Sequence, residues 1–221
     1  MLAVLAFTSG YIDALSYLAL GSVFVSNMTG NTVLLGIAIG RGNGLAALRA
    51  AVSLVSYVIG VALGANIVDP TPSPEKIWPH AVTKAIFAEF LVLLMFATGG
   101  IFADVTRSQF ILYALISLAA LAMGLQSTAV HALGVSGIAT TYITGTWTRL
   151  VSSLTRKRGP RISEGVVKET SQTRIQGMVV VVYILAAILG GLTESNLQLK
   201  AAFIPMVGIG LVLIFAKMRM R

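Results

Sequence analysis

The stretch Ser26-Asn27-Met28-Thr29-Gly30-Asn31-Thr32 places amides, hydroxyls and a glycine inside an apolar segment of membrane length. Backbone amides that lose their helical partners in hydrocarbon cost several kcal/mol each, so such a break is tolerated only where protein or a water-filled cavity surrounds it. A second version, Thr141-Tyr142-Ile143-Thr144-Gly145-Thr146, stands in the other half of the chain. Two breaks in corresponding positions indicate the midplane binding site of a transporter built from repeats.

The composition around these motifs identifies the class of protein. Of the 221 residues, 56% are hydrophobic and only 11% are charged, and the mean hydropathy is +0.87. A soluble domain typically carries about 25% charged residues, so this chain cannot cover a water-facing surface. We therefore expect an all-α polytopic membrane protein in a lipid bilayer, with room for about eight spans of roughly 20 residues.

Charge and cysteine content exclude several kinds of function. The absence of Cys from the sequence excludes disulfides, thiolate metal sites and cysteine nucleophiles. Because the two His stand apart from clustered carboxylates, neither a metal site nor a cofactor is predicted. The net charge of +8 comes from basic residues between apolar segments, which is the placement that membrane topology produces. Nucleic acid is therefore not an expected partner.

Apolar runs divide the chain into eight predicted membrane segments. They are Leu2–Leu20, Val23–Gly40, Leu45–Val68, His80–Phe102, Phe110–His131, Ile138–Leu154, Met178–Leu192 and Ala201–Ala216. The second and sixth segments are short and are broken at Gly30 and Gly145. An alternative therefore has six full spans and two re-entrant segments.

The distribution of Lys and Arg predicts the orientation in the membrane, because basic loops stay in the cytoplasm. The loop at Arg41 and Arg49, the run from Thr155 to Arg174, and the tail after Ala216 are then inside. The proline-punctuated loop Asp69–Glu75 and the short connection Thr193–Asn196 are outside. Eight crossings satisfy this distribution with both termini cytoplasmic, whereas six would place the Arg41 loop outside.

Matches between the two halves predict an internal repeat. Gly10 aligns with Gly124, Thr29-Gly30 with Thr144-Gly145, and the stretch from Tyr57 to Gly64 with the stretch from Tyr183 to Gly190. We expect two pseudo-symmetric halves, residues 1–103 and 104–221, of four segments each within a single integrated membrane domain. With four segments each, the halves would be related by an axis along the membrane normal.

Five parts of the sequence resemble a known family. They are Gly10-Tyr11-Ile12-Asp13-Ala14, the stretch from Val23 to Thr32, the mid-span Glu89, Gly124-Leu125-Gln126, and the stretch from Thr140 to Thr146. Together they resemble the YoaK-type bacterial inner-membrane proteins, over nearly the whole chain. The resemblance implies the bacterial plasma membrane and a small-molecule-transporter-like protein, although that family is itself a domain of unknown function. Asn27 stands where Gln is expected in many relatives.

Asp13 and Glu89 are the ionisable candidates, because a carboxylate at the bilayer centre costs about 2.5–3.5 kcal/mol and normally faces a cavity or a partner. Each could carry a proton; the alternative is a structural carboxylate that caps a backbone break or bonds a neighbouring helix. Arg149 is a candidate charge partner for either carboxylate, or equally a side chain that snorkels to headgroups.

The polar residues of the two motifs complete the predicted site. They could coordinate an ion or hydrogen-bond a solute, or they could form interhelical hydrogen bonds worth about 0.6–2 kcal/mol each. The candidate substrate-binding or translocation residues are Asp13, Asn27, Thr29, Gly30, Asn31, Glu89, Gln126, Thr144, Gly145 and Thr146.

The sequence thus favours a transporter or channel for a small polar solute or ion, with proton coupling through Asp13 or Glu89. A non-transporting membrane scaffold is the alternative. An intramembrane enzyme acting on lipid or quinone is less favoured, because no nucleophile or metal set stands out. The substrate and any homo-oligomer are left open.

Overall fold

The computed structural model of the protein describes residues 1–68, 78–102, 108–133, 143–155 and 163–219, and all regular structure in these ranges is helical. The helices are α1 (Leu2–Ala19), α2 (Met28–Gly40), α3 (Gly44–Ile67), α4 (His80–Phe102), α5 (Gln109–Ala132), α6 (Thr144–Thr155), α7 (Ser163–Leu197), a 3-10 turn (Gln198–Ala202) and α8 (Phe203–Arg219). The predicted proline-punctuated loop, the start of the second Thr-Gly motif and the Arg156–Arg161 cluster lie outside the described residues.

Helix length and hydropathy confirm a multi-pass α-helical membrane protein. Five helical stretches of the described ranges are long and apolar enough to cross a membrane: Leu2–Ala19, Gly44–Ile67, His80–Phe102, Gln109–Ala132 and the 47-residue stretch Gln172–Met218. By contrast, α2 has 13 residues and α6 has 12. At 1.5 Å per residue each is about 20 Å long or less, which is shorter than the roughly 30 Å hydrocarbon core.

Two predicted connections are helical instead. The predicted loop through Arg174 belongs in part to α7, which begins at Ser163, and the predicted connection Thr193–Asn196 is the last part of the same helix. Both errors arose because hydropathy marks where lipid contact ends, whereas Glu, Lys, Gln and Arg are good helix formers in water. The helix instead ends at a left-handed residue, Gln198, with φ of 49°.

The chain reverses after α1 and runs back along it. Gly21 and Ser22 have φ of 82° and 64°, and two successive left-handed residues turn the backbone sharply. The Phe24 ring then stacks on Tyr17, with ring centroids 4.9 Å apart. Ser26, two residues later, reaches Asp13, one helical turn earlier in α1. Residues 23–27 thus pass non-helically from the end of α1 to its middle.

Helix α2 returns to the end from which this segment came. Asn31, one turn into α2, bonds to Ser53 of α3, and the turn at residues 41–43 joins the two helices. Between Ser53 and the start of α3 lies Arg49, whose side chain covers Gly21 at the end of α1. Residues 20–40 therefore enter the bundle as a non-helical segment and leave it as a helix at the same end.

Two parallel helix pairs form the centre of the bundle. In the first pair, α1 and α7, Ala6 packs near Val179 and Gly10 lies on the Tyr183 carbonyl. In the second, α3 and α5, Gly60 lies on the Leu121 backbone and Gly64 on Thr128. Glycine at both positions lets the two backbones approach closely.

The contacts between α4 and α8 show how these two helices run relative to each other. Gly100 near the end of α4 packs on Leu199 of the 3-10 turn, and Phe90 approaches Gly210 of α8. Helices α4 and α8 are therefore antiparallel. Since α3 begins at the end where α1 stops, α1, α4 and α7 run in one direction and α3, α5 and α8 in the other.

Adjacent glycines in α7 provide a matched test of this packing. A Cβ on Gly190 would lie 2.7 Å from the Tyr11 carbonyl oxygen, whereas a Cβ on Gly191 meets nothing within 4 Å. We expect Gly190→Val to destabilise the protein by about 1–3 kcal/mol through overpacking. Gly191→Val, with the same change in helix propensity, should leave thermal unfolding in detergent unchanged. Equal shifts in the two variants would contradict the α1–α7 contact.

Candidate functional site

Asp13 holds the non-helical segment in the middle of the bundle. Its Oδ1 accepts hydrogen bonds from the Val25 and Ser26 amides at 2.8 and 2.7 Å. Its Oδ2 accepts from the Ser26 hydroxyl at 2.6 Å and from the Tyr183 hydroxyl at 2.7 Å. Since the side chain is only 3% exposed, these four donors replace its hydration and tie α1, the non-helical segment and α7 together.

Asn31 secures the same segment from the other side. Its Oδ1 accepts from the Phe24 amide at 2.9 Å, and its Nδ2 donates to the Phe24 carbonyl at 2.6 Å. The Ser53 hydroxyl of α3 donates to that carbonyl at 2.7 Å as well. Asn31 thus satisfies both the amide and the carbonyl of Phe24, as the backbone of a neighbouring β-strand would.

These contacts explain how a backbone break survives inside an apolar bundle. Unpaired amides are not tolerated in hydrocarbon, and the amides of Phe24, Val25 and Ser26 each receive a side-chain acceptor. Asn27 caps α2 by accepting from the Gly30 amide at 3.1 Å. We call residues 23–31 with Asp13 and Ser53 the clamp.

Glu89 has a different environment. It is 0% exposed in the middle of α4, and neither carboxylate oxygen has a hydrogen-bond partner among the described residues. An isolated intramembrane carboxyl is costly and indicates function by default. Helices α4 and α5 are adjacent, with Gly99 against Leu115. Because they are joined by a short connection and run antiparallel, Glu89 lies at the depth of Gln126.

Gln126 connects the two parallel helix pairs. Its Nε2 donates to the Ser9 hydroxyl at 2.7 Å and to the Leu5 carbonyl at 3.0 Å, both on α1. All of these atoms are buried. The polar groups of α1 and α5 therefore meet at the centre of the bundle. Leu5, Ser9 and Asp13 follow one another at four-residue spacing, so the contacts of Gln126 and those of Asp13 lie along one face of α1, about one helical turn apart.

The two Thr-Gly motifs are not brought together in the described residues. Helix α2 packs on α3 and α6 packs on α7, and α2 and α6 do not contact each other. Thr29 and Thr144 are exposed, Gly30 and Gly145 are half-buried, and Thr146 is buried. Arg149 is exposed on α6 and is not among the four donors to Asp13.

Sequence reasoning missed Tyr183, Ser53 and Ser9 as members of these polar contacts. Tyr183 is the one aromatic residue in the aliphatic run from Met178 to Leu192, and it aligned with Tyr57 only as part of the repeat. Ser9 and Ser53 carried no signal, because serine is common in membrane helices. Within the described ranges, no three His, Asp or Glu residues stand close enough to hold a metal ion.

Comparisons with known proteins agree with the membrane assignment. The family described as "Protein of unknown function (DUF1275)" matches residues 1–215. The "UPF0700 transmembrane protein YoaK" of Bacillus subtilis (strain 168) is 32% identical over 222 residues, which cover 100% of this chain and 94% of that protein. No solved structure matches the chain significantly.

Proposed function

The chain belongs to the DUF1275 family, and we propose that it moves a small polar solute or ion across the bilayer, with Glu89 as the residue that carries a coupled proton. The observation that carries this function is the burial of Glu89 without a bonded partner in the described residues. A carboxyl that stabilised the bundle would have donors, as Asp13 does. A carboxyl that takes up and releases a proton needs to exchange partners during a cycle.

The geometry of residues 20–40 supports six crossings. The segment enters and leaves the bundle at the same end, and α2 is too short to cross alone. A re-entrant segment of this kind is tolerated where protein surrounds its non-helical part, and the clamp supplies that surrounding. The six crossings would be α1, α3, α4, α5, α7 and α8, with α6 as the second re-entrant helix.

Six crossings would make residues 1–103 and 104–221 inverted repeats of three spans each. Each counterpart pair, α1 and α5, α3 and α7, α4 and α8, runs in opposite directions. In addition, Gly10 lies on the Tyr183 carbonyl and its counterpart Gly124 lies on the Tyr57 carbonyl. The axis would then lie in the membrane plane, not along its normal as expected for eight segments, and inverted repeats are typical of secondary transporters.

The basic residues support an orientation with both termini in the cytoplasm of a bacterium, which makes the membrane the inner membrane. Six crossings divide the 16 Lys and Arg residues unequally between the two ends of the bundle. By sequence order in that topology, Arg41, Arg49, Arg107 and Lys200 would belong to the end where α1 stops, and the other twelve would belong to the opposite end. The Arg41 loop would then be outside.

A scaffold without transport is the second candidate, and one observation favours it. The side chains of Asp13, Asn31 and Gln126 each form hydrogen bonds with a neighbouring helix or segment: Asp13 with Ser26, Asn31 with Ser53, and Gln126 with Leu5. Such bonds are expected in a protein whose helices do not move. Glu89 differs from these side chains because it has no hydrogen-bond partner in the described residues. A transporter would use this carboxyl, whereas a scaffold would not need it. We propose no enzymatic activity for either.

Proteoliposomes containing the purified protein and an internal pH-sensitive dye test the transport function. Panels of amino acids, sugars, monocarboxylates and inorganic ions are added outside, with and without an imposed pH gradient. We expect at least one solute class to change the internal pH beyond the change in protein-free liposomes. A scaffold would give protein-free behaviour across all panels, with the protein shown to be folded by thermal unfolding.

A further inference from the structure

A groove of about 560 Å³ lies between α4 and α8, away from the clamp. Its walls are almost entirely apolar and include Phe87, Leu213 and Ile214. His80 and Lys84 on α4 and Lys217 on α8 stand at the end of the groove where α4 begins and α8 finishes. The groove thus has apolar walls and a basic rim at one end.

The rim complements a negative charge. No carboxylate is among the described residues that line the groove, so no acidic side chain of this lining neutralises Lys84 or Lys217. The first turn of α4 also contains no acidic residue, and the partial positive charge of a helix N-terminus adds to the same field. The groove therefore matches a ligand that has an anionic head and an apolar tail.

The position of the groove identifies the source of such a ligand. Phe87 and Ile214 are 52% and 57% exposed, and they lie in helical stretches that are long and apolar enough to cross the membrane, His80–Phe102 and Gln172–Met218. The groove therefore opens to the acyl chains. Basic pockets between membrane helices on the cytoplasmic side bind anionic headgroups. The assignment to the cytoplasmic leaflet rests on the proposed orientation.

We propose that this groove binds one anionic phospholipid. An acyl chain lies against Phe87, Leu213 and Ile214, and the phosphate lies between Lys84 and Lys217. Ordinary annular lipid would fill the apolar walls without preference for headgroup charge. A bound lipid at this site would bridge α4, which carries Glu89, to α8.

Native mass spectrometry of the detergent-purified protein, titrated with phosphatidylglycerol or phosphatidylcholine, tests this site. We expect preference for phosphatidylglycerol, and we expect the double variant K84Q/K217Q to lose about 30-fold in affinity for it, the equivalent of about 1 kcal/mol per charge. The matched control R41Q/K200Q removes two positive charges at the other end of the bundle and should retain the preference. Leu213→Trp, which fills the groove but keeps both lysines, should also lower the affinity.

Several results would overturn the lipid site. Equal binding of the two lipids by the wild type would identify annular lipid, and equal losses in K84Q/K217Q and R41Q/K200Q would identify a general effect of net charge. Displacement of phosphatidylglycerol by inorganic phosphate would identify a site for the free anion. Dimers that disappear in Leu213→Trp would identify a second copy of the chain as the occupant. None of these readouts depends on transport.

Discussion

Asp13→Ala is expected to unfold the centre of the protein. The substitution leaves two backbone amides and two hydroxyls buried without their acceptor. Because each unsatisfied buried group costs about 1–3 kcal/mol, we expect a loss of at least about 3 kcal/mol in the free energy of unfolding. Thermal unfolding in detergent and the yield of monodisperse protein measure this loss.

Two milder variants separate a structural role of Asp13 from a chemical one. Tyr183→Phe removes one of the four donors and should cost about 1 kcal/mol. Asp13→Asn keeps one acceptor for the two amides, and the hydroxyls of Ser26 and Tyr183 can turn to accept from its amino group. We therefore expect Asp13→Asn to fold and to retain any transport. A folded but transport-dead Asp13→Asn would instead make Asp13 the proton carrier.

Glu89→Gln is expected to remove proton movement without harming the fold. The exchange is isosteric, and it removes a carboxyl that has no partner in the described residues. Because an ionisable group at the bilayer centre costs about 2.5–3.5 kcal/mol, its neutral replacement should unfold at the same or a higher temperature. Solute-dependent pH change in proteoliposomes should fall to the level of protein-free liposomes.

The opposite signs of these two effects make the result decisive. Glu194→Gln, an equal change of charge at a half-buried position near the end of α7, is the control and should keep proton movement. If Glu89→Gln lowers the unfolding temperature and leaves proton movement intact, Glu89 is structural, and the scaffold function gains the support that transport loses.

The class of protein and its family could be predicted from the sequence because both depend on local features. Hydropathy over about 20 residues identifies spans, and the described ranges contain five such helical stretches. The break near Gly30 was predicted as well, although the non-helical residues are 23–27 and the Thr-Gly pair already belongs to α2. Asn27 before an apolar run is an N-cap signal that could have placed this boundary.

The pairing of distant residues could not be predicted in the same way. Asp13 and Tyr183 are 170 residues apart, and no local pattern specifies that α1 packs on α7. The direction of α2 depends on the bond between Asn31 and Ser53, so length and hydropathy alone left eight and six crossings open. The expected meeting of the two Thr-Gly motifs failed for the described residues, because α2 and α6 each pack on a different helix.

Single-cysteine labelling tests the re-entrant path of residues 20–40 most directly, since the sequence contains no other Cys. Gly44→Cys stands at the start of α3, where a side chain meets nothing within 4 Å. Ser195→Cys and Met218→Cys are the references, because six and eight crossings both place them outside and inside, respectively. We predict that a membrane-impermeant maleimide labels Gly44→Cys in intact cells as it labels Ser195→Cys. Labelling only after permeabilisation, as for Met218→Cys, would mean that the segment crosses completely and would contradict the re-entrant clamp and the inverted repeat.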